Sequence, residues 1–221
     1  MADVHTLVTW MSHAWPFGLA LLGMVRVADD RDADMALVDA VRAGDATAYR
    51  GLVEKYQTRV YHVVYGMVRN QEDAQELTQE SFVKAYRNLH AFREDSRFYT
   101  WLYRIAMNLA IDFTRRRARA PVTGLDEDVA ARDADGGISE AHHADNPRKA
   151  LERKQLHTAI MNAVAELPED QRQVILLREV DGLSYKEIAD VLEIAEGTVM
   201  SRLFYARKKL QKVLAPLQGG A

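Results

Sequence analysis

Cysteine is absent from all 221 residues, which excludes disulfides and thiolate metal ligands and suits a reducing cytoplasm. A phosphate-cradling glycine loop, a zinc-protease helix motif and an internal repeat are missing too, so the chain shows no familiar catalytic signature. The adjacent His142-His143 pair lies in a polar, acidic stretch and reads as solvated, not metal-binding. No catalytic residue, metal, cofactor or small-molecule ligand is expected. Charge of one sign is not in excess either. The 29 Lys and Arg face 32 Asp and Glu, for a net charge of -3. That total looks unlike a nucleic-acid binder, but it averages segments of opposite sign, and the distribution carries more information than the sum.

Long unbroken apolar runs are lacking. The one candidate, Leu7 to Val27, is interrupted by His13, Pro16, Gly18, Gly23 and Arg26, and no Lys or Arg precedes it as a signal peptide requires. Residues 1–30 therefore read as a disordered extension, or as the product of a start placed too early, with Met24 and Met35 as alternatives.

What is present is helical periodicity. Apolar residues recur at three- and four-residue spacing, with little strand-like alternation. The pattern predicts an all-α chain of two small helical domains, at 34–119 and 146–217, joined by an acidic flexible linker at 120–145. Within the first block, Gly44-Asp45, Asn70-Gln71 and the stretch from Phe92 to Phe98 read as breaks. The linker holds Gly124, Gly136 and Gly137, with many acids against the single base Arg132. Helices resume at Asn146-Pro147, an N-cap followed by proline where its missing N–H costs nothing. Pro168 repeats that device, and Asp181-Gly182 closes the helix it starts, one of four expected in the second block.

Leu183-Ser184-Tyr185-Lys186-Glu187-Ile188 is the most informative local sequence. Ser184 and Glu187 are spaced as a capping box, with Leu183 and Ile188 as a hydrophobic staple. A short joint, Glu193-Ile194-Ala195, leads into a second helix, which suggests a helix-turn-helix. On that second helix Val199, Leu203, Ala206, Leu210 and Val213 project inward. Thr198, Ser201, Arg202, Tyr205, Lys208, Lys209 and Lys212 project outward, with hydroxyl and guanidinium groups near base edges and ammonium groups further along for phosphates. A solvated charged face is the competing reading of the same row.

In the first block, a helix from Asp73 to Leu89 sets Asp73, Glu76, Glu80, Lys84 and Arg87 against the apolar Ala74, Leu77, Phe82, Ala85 and Leu89. Its acidic half is either solvated or a docking surface for a basic partner. The segment from Phe92 to Arg104 mixes aromatics with bases and continues to Asn108, Asp112 and the run Arg115-Arg116-Arg117. Aromatics interleaved with cations suit single-stranded DNA, where bases stack and charges track the phosphates. Trp101 reads as packing; Phe98 and Tyr99 fit either role.

Two stretches together carry a family resemblance. EDAQELTQESFVKAYRNL followed by FREDSRFYTWLYRIAMNLAIDFTRRR resembles region 2 of extracytoplasmic-function (ECF) sigma factors of the sigma-70 family. ELPEDQRQVILLREVDGLSYKEIADVLEIAEGTVMSRLFYARKKL resembles their region 4, with wording most similar to the envelope-stress group. The resemblance implies a sigma region 2 helical bundle and a sigma region 4 helix-turn-helix. It implies that Asp73, Glu76, Gln79 and Glu80 dock on the β′ clamp helices of core RNA polymerase. Phe92, Arg93, Ser96, Phe98 and Tyr99 would capture a flipped base of the −10 element, and Arg104, Asn108, Arg115 and Arg116 would support melting. Thr198, Ser201, Arg202, Phe204, Tyr205, Lys208 and Lys209 would meet the −35 element while region 4 packs on the β flap. The linker would thread the polymerase.

An anti-sigma factor, membrane-anchored in this group, is implied as well, which would hold a cytoplasmic protein at the inner membrane. Relatives usually carry a small residue at the positions of Glu94 and Arg97, and many carry cations at those of Met200 and Tyr205, so the DNA preferences of this chain are expected to differ from theirs there. Residues 1–30 have no counterpart. The expected function is promoter recognition and initiation of a stress-response regulon, a non-enzymatic activity. The alternatives are a stand-alone helix-turn-helix regulator that needs no polymerase, and a helical hydrolase or nuclease using the carboxylates near Asp73.

Overall fold

A computed structural model of the chain describes residues 31–93, 95–119 and 158–218, and among these every regular element is a helix. The extension at 1–30, the linker at 120–145, the helix start at Asn146-Pro147, and Glu94 lie outside the described residues. The first half holds α1 (Arg31–Arg42), α2 (Ala48–Val68), α3 (Gln71–Arg87), a 3-10 turn (Leu89–Ala91) and α4 (Phe98–Arg119). The second half holds α5 (158–165), α6 (Glu169–Ile175) running on into a π-helical turn (Leu176–Val180), α7 (Tyr185–Leu192) and α8 (Glu196–Gln218).

Local chemistry sets most of the boundaries. Gly44, at φ 106°, turns the chain between α1 and α2 in a conformation that a Cβ would strain. Asn70 caps α3 by accepting the N–H of Asp73 at 2.9 Å. Pro168 sits at the N-cap of α6, one position earlier than the sequence suggested. Ser184 and Glu187 complete the expected capping box, with Leu183 and Ile188 both buried as the staple.

The bundle core is built around α2, whose Leu52, Tyr56, Val60, Val63 and Val64 are inaccessible or nearly so. Two polar ties fix its neighbours. Lys55 and Tyr56 both reach the buried Asp34 of α1 at 2.5 Å, and the Tyr49 hydroxyl donates to the Phe82 carbonyl of α3 at 2.7 Å. The expected stripe on α4 is broader than its periodicity indicates. Leu102 and Leu109 are buried, as predicted, while Ile105 and Phe113 are half-buried, and Tyr103, Ala106, Met107 and Ala110 are buried as well. The reason is that α4 packs against the bundle on one side and against α7 on the other.

The two halves thus share an interface. Leu176 of the π-helical turn sits directly over Gly66 of α2, leaving no room for a Cβ there. Beside it the Arg59 guanidinium donates from Nε to Asp181 Oδ1 at 2.7 Å, with the Asp181 side chain 1 % exposed. Burial pushes the Asp181 carboxyl above its ordinary pKa, against the pull of Arg59. The Tyr103 hydroxyl is also buried, beside the same carboxylate. Asp181, expected only as a helix terminator, is also a contact between halves.

Candidate nucleic-acid interface

Helix α8 follows a tight turn in which Glu193, at φ 55°, takes the left-handed conformation and closes α7. Val199, Leu203, Ala206 and Leu210 are buried along its inner face. The fifth inward residue is Leu214 and not Val213, which is 41 % exposed. The two positions straddle the stripe about 100° apart, and the larger side chain takes the buried side.

Outward stand Ser201, Phe204, Tyr205, Lys208 and Lys209, all exposed, with Thr198, Met200 and Arg202 half-buried. The Phe204 and Tyr205 rings meet edge to face at 5.3 Å. Arg202 is tethered to Asp170 of α6 at 3.3 Å, and Lys209 donates to the Glu166 carbonyl at 2.7 Å. Sequence reasoning missed Arg207, which points inward and makes two hydrogen bonds, at 2.7 and 3.2 Å, to Glu179 Oε1. Burial opposes the charge of Arg207, but the hydrogen bond and charge of Glu179 prevail and raise its pKa. An arginine interrupting an outward row next to an apolar stripe is the signal that could have shown it.

In the first half, Phe92, Phe98 and Tyr99 are buried, Ser96 and Arg104 are half-buried, and Arg93, Asn108, Arg115 and Arg116 are exposed. Phe92, Phe98 and Trp101 form a ring cluster with centroids 5.3 to 5.9 Å apart, and Tyr56 adds a fourth ring 5.9 Å from Phe98. Arg42 braces the cluster from α1, with its guanidinium 5.9 Å from the Phe92 ring centre and Nη2 donating to the Phe92 carbonyl at 2.5 Å. In this arrangement the two phenylalanines form the floor of the 92–97 loop and have no free face for a base.

Four groups on this side, Arg97, Tyr99, Arg104 and Arg115, meet the second half. The Tyr99 hydroxyl donates to Glu187 Oε1, and Arg97 lies 3.7 Å from the same oxygen. Burial works against the Glu187 charge, but the Tyr99, Ser184 and Arg97 contacts outweigh it and lower the pKa. Arg104 donates twice to the Asp190 carbonyl, at 2.8 and 3.1 Å, and lies 3.6 Å from Glu193. Arg115 pairs with Glu169 at 3.1 Å.

Of the acidic row on α3, Glu76, Gln79 and Glu80 are exposed, while Asp73 is half-buried and pairs with Arg117 at 3.1 Å. Beside the row, α2 and α3 enclose an apolar groove of about 920 Å3, lined among others by Tyr49, Val53, Tyr61, Phe82, Val83 and Tyr86. Val83 and Tyr86 are 42 % and 44 % exposed. The sequence reading did not find this groove, because its walls come from two helices. Among the described residues there is no cluster of three potential metal ligands, and no helix long and apolar enough to cross a membrane.

Comparison with known proteins places this geometry. Residues 52–120 match the sigma-70 region 2 family and residues 157–210 match sigma-70, region 4. The chain is 42% identical over 191 residues to the RNA polymerase sigma-H factor of Pseudomonas aeruginosa, spanning 85% of this chain and 96% of the relative. It is 39% identical over 184 residues to the ECF RNA polymerase sigma-E factor of Escherichia coli K12, spanning 83% and 95%. Its fold resembles that of CnrH in complex with the cytosolic domain of CnrY, at a TM-score of 0.60 and 23% identity over 84% of this chain and 99% of that one. The sigma factor RpoE in complex with the anti-sigma factor NepR from Bartonella quintana is also similar, at a TM-score of 0.57 and 23% identity over 76% and 96%. The chain belongs to the sigma-70 family of RNA polymerase sigma factors, in its extracytoplasmic-function group.

Proposed function

We propose that this protein binds core RNA polymerase, directs it to promoters through the −35 and −10 elements, and initiates transcription of a stress-response regulon. The observation that carries the reading is the pairing, in one chain, of a recognition helix with an exposed hydroxyl, aromatic and basic face and a second basic helix flanked by an aromatic cluster. The first suits duplex DNA read in the major groove. The second suits single-stranded DNA, provided that the halves separate.

In this reading Thr198, Ser201, Arg202 and Phe204 face the −35 bases, while Tyr205, Lys208 and Lys209 meet the backbone. Arg93, Ser96, Tyr99, Arg104, Asn108, Arg115 and Arg116 serve the −10 element, with Phe92 and Phe98 supporting the loop that receives the flipped base. Asp73, Glu76, Gln79 and Glu80 dock on the polymerase, and the adjoining groove of Val83 and Tyr86 supplies apolar area to the same contact. The work is differential binding, not bond chemistry. Unstacking a base costs a few kcal/mol, which a fitted site offsets for the correct base only. Tethering both readers to polymerase turns two weak contacts into one specific event. An anti-sigma factor anchored in the inner membrane is the expected negative regulator of this cytoplasmic protein.

Run-off transcription with purified core polymerase, coupled to mapping of start sites, tests the proposal. Transcripts that depend on the added chain and start at a shared two-element promoter are expected. A chain that leaves polymerase output unchanged and binds a palindrome as a dimer would instead be a stand-alone regulator.

A further inference from the structure

The outermost stripe of α8, opposite its buried face, runs through Ser201, Phe204, Tyr205 and Lys208 at i, i+3, i+4 and i+7, all exposed. Its middle is aromatic. Phe204 and Tyr205 are 43 % and 58 % exposed, the large apolar side chains most open to solvent among the described residues of the second half. Their edge-to-face contact at 5.3 Å makes them one ridge instead of two independent side chains. Water is a poor surrounding for such a pair, and its place is the one a recognition helix turns towards base edges in the major groove. The guanidinium groups stand beside the ridge, with Arg202 drawn to Asp170 at 3.3 Å and Arg207 turned inward to Glu179 at 2.7 Å.

The chemistry of this ridge fits one kind of base pair. Ser201 Oγ donates its proton to the Thr198 carbonyl at 3.0 Å, so towards DNA the hydroxyl presents lone pairs and acts as an acceptor. An acceptor beside an apolar surface is the complement of an amino group beside a methyl group. In the major groove an A·T pair shows both, the adenine N6 amino group and the thymine C5 methyl, whereas a G·C pair shows an amino group and no methyl. Resting on the proposed promoter reading, we infer that the ridge makes the −35 contact selective for A·T. Phe204 packs on a thymine methyl group and Ser201 accepts from the adenine amino group. Tyr205 is a positioning residue, which holds the Phe204 ring while its hydroxyl reaches towards the backbone.

The test uses the full chain, alone and with core polymerase. Duplexes randomised across the −35 element are selected by binding, and each thymine of the selected element is then replaced by deoxyuridine, which lacks only the C5 methyl group. At one position or more, wild-type affinity is expected to fall about fourfold, as for the loss of one buried methyl group. Phe204→Ala is expected to bind the thymine and deoxyuridine duplexes equally. Phe204→Leu, which keeps an apolar side chain, is expected to retain part of the difference. Tyr205→Phe should keep it whole and Tyr205→Ala should reduce it, since the ring contact survives in the first and is lost in the second. Purine in place of the paired adenine removes the N6 amino group. That change is expected to weaken the wild-type chain about fivefold and to leave Ser201→Ala unaffected. All three positions are exposed, and circular dichroism checks that each variant keeps its fold.

Equal binding of thymine and deoxyuridine duplexes by the wild-type chain, or a methyl effect that survives Phe204→Ala, overturns the inference. A purine effect that persists in Ser201→Ala removes that residue from the contact. If transcripts that depend on core polymerase still start from the selected promoters, the promoter reading survives either failure. A methyl effect shown by the full chain alone, with no polymerase-dependent transcript, would leave the A·T contact in place and overturn the promoter reading.

Discussion

The two halves expose their basic residues in opposite ways. On α8 the outward row stands free of the other half, and the tethers of Arg202 to Asp170 and of Lys209 to the Glu166 carbonyl come from its own half. On α4 the row is partly tied down, since Arg104 and Arg115 pair with the second half and Arg117 with Asp73 of α3, while Asn108 and Arg116 stay exposed. A recognition helix presents its surface wherever its own apolar stripe is buried, so local periodicity decides it. The surface on α4 is shared between solvent and the junction with the second half, so local periodicity alone does not decide it. In the proposed reading, −35 recognition thus rests on one helix, and −10 recognition on a surface that both halves shape.

The comparison is broken most forcefully at the buried ion pair between the halves, Arg59 with Asp181. Asp181→Ala leaves the Arg59 guanidinium, whose side chain is 19 % exposed, facing a buried site without its carboxylate. The expected loss is about 3 kcal/mol in chemical denaturation. Arg59→Leu combined with Asp181→Leu should recover most of it, since removing both charges also removes their desolvation cost. If the double variant is as unstable as the single one, the packing at the π-helical turn matters more than the pair.

A smaller effect is expected on the free surface. Arg202→Ala should relax −35 discrimination by about 1–3 kcal/mol, measured as competition between promoter variants for the polymerase-bound protein. Loss that is equal for all sequences would place Arg202 on phosphate. Ser184→Ala removes the side-chain acceptor of the Glu187 N–H and the hydroxyl that donates to Glu187 Oε2 at 2.7 Å. The expected loss is about 1 kcal/mol in thermal or chemical unfolding. Because Glu187 also receives the Tyr99 hydroxyl, this variant should loosen the junction too, whereas Arg202→Ala should not.

The contrast between halves also explains what the sequence could tell. The capping box at Ser184, the staple of Leu183 and Ile188, and the inner stripe from Val199 to Leu210 are governed by neighbours within four residues, and all were legible. The stripe failed only at its end, where Leu214 replaces Val213, because angular error accumulates along a 23-residue helix. The Arg59 to Asp181 pair spans 122 residues and leaves no periodic trace, so it could not be read. The burial of Tyr103 and Met107 was hidden for the same reason, as it depends on α7 lying across α4. Phe98 and Tyr99 fitted packing or stacking equally well by spacing. Their burial follows from Phe92 and Trp101 closing around Phe98, and from Glu187 arriving over Tyr99.

Glu193 carries the smallest expected change and separates backbone strain from the ion pair most cleanly. Glu193→Gln removes the charge facing Arg104 but keeps a side chain in the left-handed region. Glu193→Gly removes the charge and the strain together. An exposed pair of this kind contributes about 0–1 kcal/mol, and a left-handed residue with a Cβ costs about 1 kcal/mol relative to glycine. Glutamine should therefore be slightly less stable than the natural residue, and glycine about 1 kcal/mol more stable than glutamine, with both variants equally open at the junction. Equal stabilities for the two would mean that the turn carries no strain. A junction that opens with glutamine but stays closed with glycine would mean that backbone geometry at the turn, and not the charge on Glu193, holds Arg104 in place.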